Sequence, residues 1–149
     1  MRCSAAVSSV RIIGLDLGDR RIGVAAAEEE TRVAIPIATL NVAGDAVDAI
    51  VQLVQDQRAD ELVVGLPLSM SGALGAQAQH VMALVHELGA RLSIPVRTWD
   101  ERLTTVQAGR SPGTARKRGR GQAAAGPGRD AIAAAILLQA YLDRRRDGS

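Results

Sequence analysis

One segment near the start of the chain, Arg11 to Gly18, constrains the fold more than any other. It reads Arg-Ile-Ile-Gly-Leu-Asp-Leu-Gly, an apolar run with a single acidic residue inside it. Such a run predicts a buried strand that carries one carboxylate. Because an unpaired buried carboxylate costs several kcal/mol, its charge must be compensated. A divalent cation is a common compensating charge, so Asp16 is a candidate metal ligand.

Length and composition predict a single soluble domain. The chain has 149 residues, of which 47% are apolar and 23% charged, enough to bury a sizeable core. We expect residues 1–10 to form a disordered tail and residues 11–146 to form the domain. No apolar run approaches the roughly 18 residues of a membrane span, and the first ten residues lack the pattern of a secretory signal. The sequence therefore predicts a cytoplasmic protein that does not contact a membrane.

The apolar periodicity predicts strands first and then alternating helices and strands. The predicted elements are strands at 11–17, 22–27 and about 32–40, a helix at 45–57, a strand at 61–65, a helix around 81–88, a strand at 96–99, and a helix at about 129–146. The first two strands form a hairpin, and the third tolerates Pro36 only at an edge or a bulge. The later strands follow helices, which predicts parallel pairing through crossovers.

Basic residues are concentrated between Arg110 and Arg129. That segment contains Arg110, Arg116, Lys117, Arg118, Arg120 and Arg129 and no acidic residue. Residues 109–128 are rich in Gly, Pro and Arg, which predicts a mobile basic loop. The loop is either a solvated surface or a contact for nucleic-acid phosphates. The near-absence of aromatic residues argues against base stacking on a single strand.

Two further acidic positions accompany Asp16. The pair Asp100-Glu101 follows a predicted strand, at the edge where open α/β sheets place their ligands. Neighbouring residues on a strand face opposite ways, so only one of the two can reach a shared site, and spacing alone does not choose between that role and helix capping. Asp130 lies in the first turn of the last helix, where the helix dipole favours it without any function. It also lies on the apolar face of that helix, four residues before Ala134.

Three carboxylates from two strand ends and one helix start can converge on one site. Oxygen ligands of this kind suit Mg²⁺ or Mn²⁺. Two such ions about 4 Å apart would stabilise the attacking water and the leaving oxygen of a phosphodiester. The sequence therefore predicts a metal-dependent nuclease.

Several motifs together resemble the YqgF/RuvX family, small bacterial proteins with an RNase H-like fold. The motifs are Gly14-Leu-Asp16-Leu-Gly18 followed by Ile22-Gly-Val-Ala25, then Gly65-Leu-Pro-Leu68, Asp100-Glu-Arg-Leu-Thr-Thr105, and Asp130 followed by Ala133-Ala134 and Ile136-Leu137. Members are described as Holliday junction resolvases and as nucleases that mature the 5′ end of 16S ribosomal RNA precursor. The resemblance implies an α/β fold whose mixed central sheet is antiparallel in its first three strands, parallel beyond them, and flanked by helices.

The resemblance also implies the roles of individual residues. Asp16, Glu101 and Asp130 correspond to the acidic triad of the family, which favours Glu101 over Asp100 and implies Mg²⁺ or Mn²⁺ as cofactor. We expect Arg20, Arg21, Arg102 and the basic residues of the loop to hold substrate phosphates.

Three functional hypotheses follow from the sequence. The first is an endonuclease that processes the 5′ end of pre-16S rRNA, a structured RNA. The second is a resolvase that cuts branched DNA, and the third is a non-catalytic RNA-binding factor in ribosome assembly. The sequence does not choose among them, and it leaves open whether the chain forms a homodimer.

Overall fold

A computed structural model describes residues 10–18, 20–42, 46–67, 75–101 and 128–148. The expected N-terminal tail, except for Val10, and the expected basic loop, except for Gly128, lie outside these ranges. The basic residues Arg102, Arg110, Arg116, Lys117, Arg118 and Arg120 also lie outside them.

Five strands and three helices lie in the described ranges, in the predicted order. They are β1 (Arg11–Leu17), β2 (Arg21–Glu28), β3 (Val33–Asn41), α1 (Ala46–Gln57), β4 (Glu61–Leu66), α2 (Ala76–Arg91), β5 (Val96–Asp100) and α3 (Arg129–Gly148). Hydrophobic periodicity therefore locates each element, and the ends differ from prediction by no more than two residues except in α2. That helix begins five residues before and ends three residues after the predicted segment at about 81–88, because the apolar stripe marks only its central turns. Within the described ranges, no helix is both long enough and apolar enough to cross a membrane.

The strands form one mixed sheet in the order β3-β2-β1-β4-β5. The pairs β1–β2 and β2–β3 are antiparallel, whereas β1–β4 and β4–β5 are parallel. The predicted sheet is confirmed. Pro36 lies on the last strand at one side of the sheet, next to a register irregularity opposite Val24 and Ala25. Either position would tolerate a proline in a strand, and Pro36 has both.

The two faces of the sheet carry different helices. Alternation along β1 sends Ile13 and Leu15 to one face and Ile12 and Gly14 to the other. The first face packs against α1 and α2, in a core whose other buried members include Val24, Ile50, Leu62, Val64, Val81 and Leu88. The second face packs against α3, in a smaller core of Ile12, Ala25, Ala27, Val63, Ala134, Ala135, Leu138 and Leu142.

Three glycines let α3 approach the second face closely. A methyl group at Gly14 would lie 2.9 Å from Cβ of Leu138, and one at Gly65 would lie 2.8 Å from Cδ1 of Leu137. A methyl group at Gly23 would overlap the backbone carbonyl of Asp130. Because a backbone carbonyl cannot rotate away as a side chain can, Gly23 fixes where α3 begins.

Substitution of Gly23 should therefore displace the start of α3. We expect Gly23→Ala to lower the free energy of unfolding by about 1–3 kcal/mol, a typical cost of overpacking. Gly89 is the matched control, because it lies on an exposed part of α2 with no atom within 4 Å of the added methyl group. Gly89→Ala should raise stability by about 0.5–1 kcal/mol through helix propensity. Urea denaturation of both variants measures the difference, and equal effects would contradict the close approach.

Glu61 is buried at the amino end of β4, on the α3 face, with 4% of its surface exposed. It accepts hydrogen bonds from the hydroxyl of Tyr141, from Nη1 of Arg145 at 3.0 Å and from Nε of Arg97 at 2.8 Å. Burial by itself would raise the pKa of Glu61, but the hydrogen bonds from Tyr141 and Arg145 and the charges of both arginines lower it below its usual value. These contacts stabilise the carboxylate and connect β4, β5 and α3.

The lowered pKa gives stability a defined pH dependence. Because the folded state holds the proton of Glu61 less tightly than the unfolded state, this stabilisation is present above about pH 4.5 and is lost as pH falls through the folded pKa. We expect Glu61→Gln to lower the free energy of unfolding by about 1–3 kcal/mol at pH 7. The difference in free energy of unfolding between Glu61→Gln and the wild type should shrink at pH values below about 4. Urea denaturation at a series of pH values measures it. Glu30→Gln, in an exposed turn, is the control, and a pH-independent loss in Glu61→Gln would contradict the assigned charge interactions.

Candidate active site

Asp16 lies near the carboxyl end of β1, on the face covered by α3. Its partner across the antiparallel pair is Gly23, which has no side chain beside the carboxylate. The backbone of Asp130 lies directly over Gly23. The strand register and the close approach of α3 therefore bring Asp16 and the first turn of α3 together.

Glu101 immediately follows β5, and its side chain reaches Asp16 from that strand. Its backbone N–H donates to the carbonyl of Leu66 at 3.1 Å, which continues the pairing of β4 with β5 by one residue. Its side chain passes over Gly65, where an added methyl group would lie 2.5 Å from Oε2. Glu101 is hydrogen-bonded to Asp16. The structure thus places Glu101, rather than its neighbour Asp100, against Asp16.

The contact between two acidic side chains shifts the pKa of both. Burial raises the pKa of Asp16, the hydrogen bond with Glu101 opposes that rise, and the charge of Asp130 adds to it. Burial, the charge of Asp16, their hydrogen bond and the charge of Asp100 together raise the pKa of Glu101 to about 7. A hydrogen bond between two carboxyl groups requires a proton on one of them. With the pKa of Glu101 raised to about 7, the pair favours a bound proton below that pH, at a place where a cation could otherwise sit.

Asp130 stands beside this pair and is oriented by Arg21. Nε of Arg21 lies 3.3 Å from Oδ2 of Asp130, and the Arg21 side chain is 63% exposed. This ion pair joins the start of β2 to the start of α3. Most of the arginine surface still faces solvent beside the carboxylates, so the predicted phosphate-binding role of Arg21 is compatible with its position.

The donor chemistry fits a hard divalent cation, although the carboxylates do not form a complete ligand set. Within the described ranges, no three Asp, Glu, His or Cys side chains are arranged as metal ligands. The structure brings Asp16 and Glu101 together, with Asp130 close enough for its charge to act on Asp16. Carboxylate oxygens are the ligands that Mg²⁺ and Mn²⁺ prefer, and a cation can replace the shared proton.

Arg20 has different surroundings from Arg21. It lines a cavity of about 650 Å³ beside the carboxyl end of β1, next to the starts of α1 and α2. The other residues of this cavity are Leu17, Gly18, Ile22, Val42, Ala46, Val47, Ala76, Gln77, His80, Val81, Leu84 and Glu87. Among the described lining residues, Glu87 is the one that carries a carboxylate. Arg20 therefore lines a cavity on the α1 and α2 side of the sheet, whereas Asp16 lies on the face covered by α3.

Sequence reasoning did not identify Gly23 and Gly65 as residues of this site. Both glycines contribute because they have no side chain. A side chain at Gly23 would clash with Asp130, and one at Gly65 would clash with Glu101. Their signal is the isolated glycine inside an otherwise apolar strand, which indicates close approach of another group. The pairing of Arg21 with Asp130 gave no comparable signal, because the two residues are far apart in the chain.

Comparison with known proteins gives concordant results. Residues 10–144 match the family model described as "RuvX: Holliday junction resolvase". A protein of Chloroflexus aurantiacus named "Putative pre-16S rRNA nuclease" is 43% identical over 137 residues, covering 91% of this chain and 88% of the relative. One of Moorella thermoacetica with the same name is 42% identical over 141 residues, covering 91% and 96%.

The fold is also found among solved structures. The structure described as "T. thermophilus RuvC in complex with Holliday junction substrate" matches with a TM-score of 0.61 and 17% identity, covering 94% of this chain and 98% of that one. A second structure of the same Thermus thermophilus protein matches with a TM-score of 0.52. These matches confirm the predicted RNase H-like α/β fold.

Removal of one carboxylate from the pair tests whether it is a cation site. In chelator, Asp16→Asn should raise the melting temperature by roughly 2–5 °C, because it replaces a buried carboxylate near the charge of Asp130 with a neutral amide. Added Mn²⁺ should raise the melting temperature of the wild type by mass action and should leave Asp16→Asn unchanged. Thermal unfolding measures both shifts, with Glu30→Gln as a control that responds to Mn²⁺ like the wild type. An equal Mn²⁺ shift in Asp16→Asn would contradict a site at this pair.

Proposed function

The chain belongs to the RuvX family, and from that premise we propose that it is a metal-dependent endonuclease that processes the 5′ end of pre-16S rRNA in the cytoplasm. The observation that carries the proposal is the contact between Asp16 and Glu101 at the carboxyl edge of the sheet. Both groups have raised pKa values, which is typical of carboxylates that act in a site rather than in the scaffold. The relatives named as pre-16S rRNA nucleases support RNA as the substrate.

Asp16 and Glu101 would hold the metal ion, Mg²⁺ or Mn²⁺, with Asp130 as the third carboxylate. When bound, the ion supplies Lewis-acid stabilisation of the charge that develops on a phosphodiester during hydrolysis. The surrounding residues would position the three carboxylates. Gly65 leaves room for Glu101, Gly23 sets the first turn of α3, and Arg21 orients Asp130.

Substrate phosphates would be held by the arginines around the carboxylates. Arg21 is 63% exposed and lies at the edge of the site, so its guanidinium can pair with a phosphate oxygen without leaving Asp130. Arg20 is also exposed, one residue earlier in the chain. We include Arg102 and the basic residues of 109–128 in this role, as the sequence predicts, although they lie outside the described residues.

Cleavage of branched DNA is a second candidate function. It is favoured by the family description and by the likeness to a RuvC structure bound to a Holliday junction substrate. The same carboxylates could serve either reaction, because both break a phosphodiester. The difference between the two functions would lie in how the nucleic acid is held.

A direct cleavage assay distinguishes these functions. The substrates are a 5′-extended 16S precursor RNA and a synthetic four-way DNA junction, each with Mn²⁺ or with chelator. We expect Mn²⁺-dependent cleavage of the RNA at a defined 5′ position. Asp16→Asn and Glu101→Gln should each reduce the cleavage rate at least 100-fold, because each removes a metal ligand.

Glu30→Gln is the matched control, since it removes an exposed carboxylate from the turn between β2 and β3, at the opposite edge of the sheet. It should cleave at the wild-type rate. Preferential cutting of the junction would favour the resolvase. If wild type and Asp16→Asn bind both nucleic acids alike and cut neither, the protein is a non-catalytic RNA-binding factor and the proposal fails.

A further inference from the structure

Asp130 is held at two points by β2. Alternation along this strand puts Arg21 and Gly23 on the same face of the sheet, the face that α3 covers. The backbone of Asp130 lies over Gly23, and Nε of Arg21 lies 3.3 Å from Oδ2 of its carboxylate. The backbone of Arg21 is itself fixed, because its carbonyl accepts a hydrogen bond from the N–H of Gly18 at 2.9 Å. One strand therefore positions both the main chain and the carboxylate of Asp130.

The ion pair brings a positive charge to the carboxylates of the candidate site. The charge of Asp130 acts on Asp16, since it is one of the causes that raise the pKa of that carboxyl group. Asp16 in turn contacts Glu101. A guanidinium beside Asp130 compensates part of the negative charge that would attract a divalent cation, and it repels the cation directly. An uncompensated guanidinium at this place therefore opposes metal binding.

A substrate phosphate can compensate the charge of Arg21. The Arg21 side chain is 63% exposed although it is paired with Asp130. A guanidinium has five N–H donors in a planar fork, and the atom nearest Asp130 is Nε. The terminal nitrogens can therefore pair with phosphate oxygens from the solvent side. Because each phosphodiester carries a negative charge, a phosphate bound there neutralises the guanidinium without displacing it from Asp130.

We propose that Arg21 couples metal binding to RNA binding, so that the site binds its divalent cation tightly once an RNA phosphate pairs with Arg21. This proposal rests on the proposed function, because it takes Asp130 as a metal ligand and RNA as the source of the phosphate. The coupling is reciprocal: a cation at the carboxylates draws on the charge of Asp130 and strengthens the pairing of Arg21 with the phosphate. Arg21 is thus a positioning residue whose charge links two ligands.

Arg20 provides the matched comparison for Arg21. It is exposed and adjacent in the chain, and it carries the same charge. It lines the cavity on the α1 and α2 side of the sheet, whereas Asp130 lies over the α3 face. Loss of Arg20 therefore removes a positive charge near the substrate without removing the ion pair of Asp130.

Mn²⁺ titrations with and without RNA measure the coupling. The EPR signal of free Mn²⁺ gives the Kd for Mn²⁺ of the full-length protein, first alone and then saturated with RNA. The RNA is a phosphorothioate form of the precursor 5′ sequence, whose backbone resists cleavage and keeps its charge, and a titration of the RNA alone is subtracted. We expect RNA to lower the Kd for Mn²⁺ of the wild type about 5- to 150-fold, the usual range of coupling between two sites.

Variants assign the coupling to Arg21. Arg21→Gln and Arg20→Gln should both weaken RNA binding, because each removes a positive charge. In Arg21→Gln, saturating RNA should change the Kd for Mn²⁺ by about 3-fold or less, whereas Arg20→Gln should keep the wild-type ratio. This ratio compares one variant with itself, so a general loss of affinity does not move it. A wild-type ratio in Arg21→Gln would overturn the proposal, as would loss of the ratio in both variants or an unchanged Kd for Mn²⁺ in the wild type.

Failure of this proposal can be told from failure of the nuclease. If the wild type binds no Mn²⁺ at all, or binds it no better than Asp16→Asn does, the metal site is wrong and the coupling is wrong with it. If Mn²⁺ binding depends on Asp16 and precursor RNA is cut, but Arg21→Gln keeps the wild-type ratio, the nuclease stands and the role of Arg21 is wrong. Melting temperatures of the variants identify any loss of binding that comes from unfolding.

Discussion

Everything on the α3 face depends on how closely one helix can approach the sheet. Gly14, Gly23 and Gly65 each meet an atom of α3 or Glu101 at a distance that leaves no room for a methyl group. The contact at Gly23 is with the backbone of Asp130, so it fixes the first turn of the helix. The same approach seats Leu138 and Tyr141 over β1 and β4. Packing and the acidic site therefore share one geometric constraint.

The α3 face holds buried acidic groups in two opposite ways. At the amino edge of the sheet, Glu61 receives two arginines and a tyrosine hydroxyl, and its pKa is lowered. At the carboxyl edge, Asp16 and Glu101 contact each other with Asp130 nearby, and the pKa values of Asp16 and Glu101 are raised. The fold thus compensates a buried carboxylate where it serves as structure. At the other edge, burial and neighbouring acidic groups raise the pKa values of Asp16 and Glu101, as expected of a site for an external cation.

The order of strands and helices and the choice of Asp16 as a candidate site residue follow from the sequence, because hydrophobic periodicity and a charge in a buried strand are local signals. Glu101 could be preferred to Asp100 only by resemblance, since alternation along β5 does not say which face carries the site. The environment of Glu61 could not be predicted. Its partners Arg97, Tyr141 and Arg145 are 36, 80 and 84 residues away. The pairing of Arg21 with Asp130 likewise depends on the packing of α3.

We expect the Asp16–Glu101 pair to exchange a shared proton for a divalent cation. Anomalous diffraction from crystals grown with Mn²⁺ above pH 7 tests it most directly, because the metal is located independently of the protein coordinates. We expect a manganese peak between the two carboxylates, with oxygens of both as ligands and Asp130 on the same side. Crystals saturated with Mn²⁺ that keep the two carboxyl groups hydrogen-bonded, with no peak between them, would contradict it.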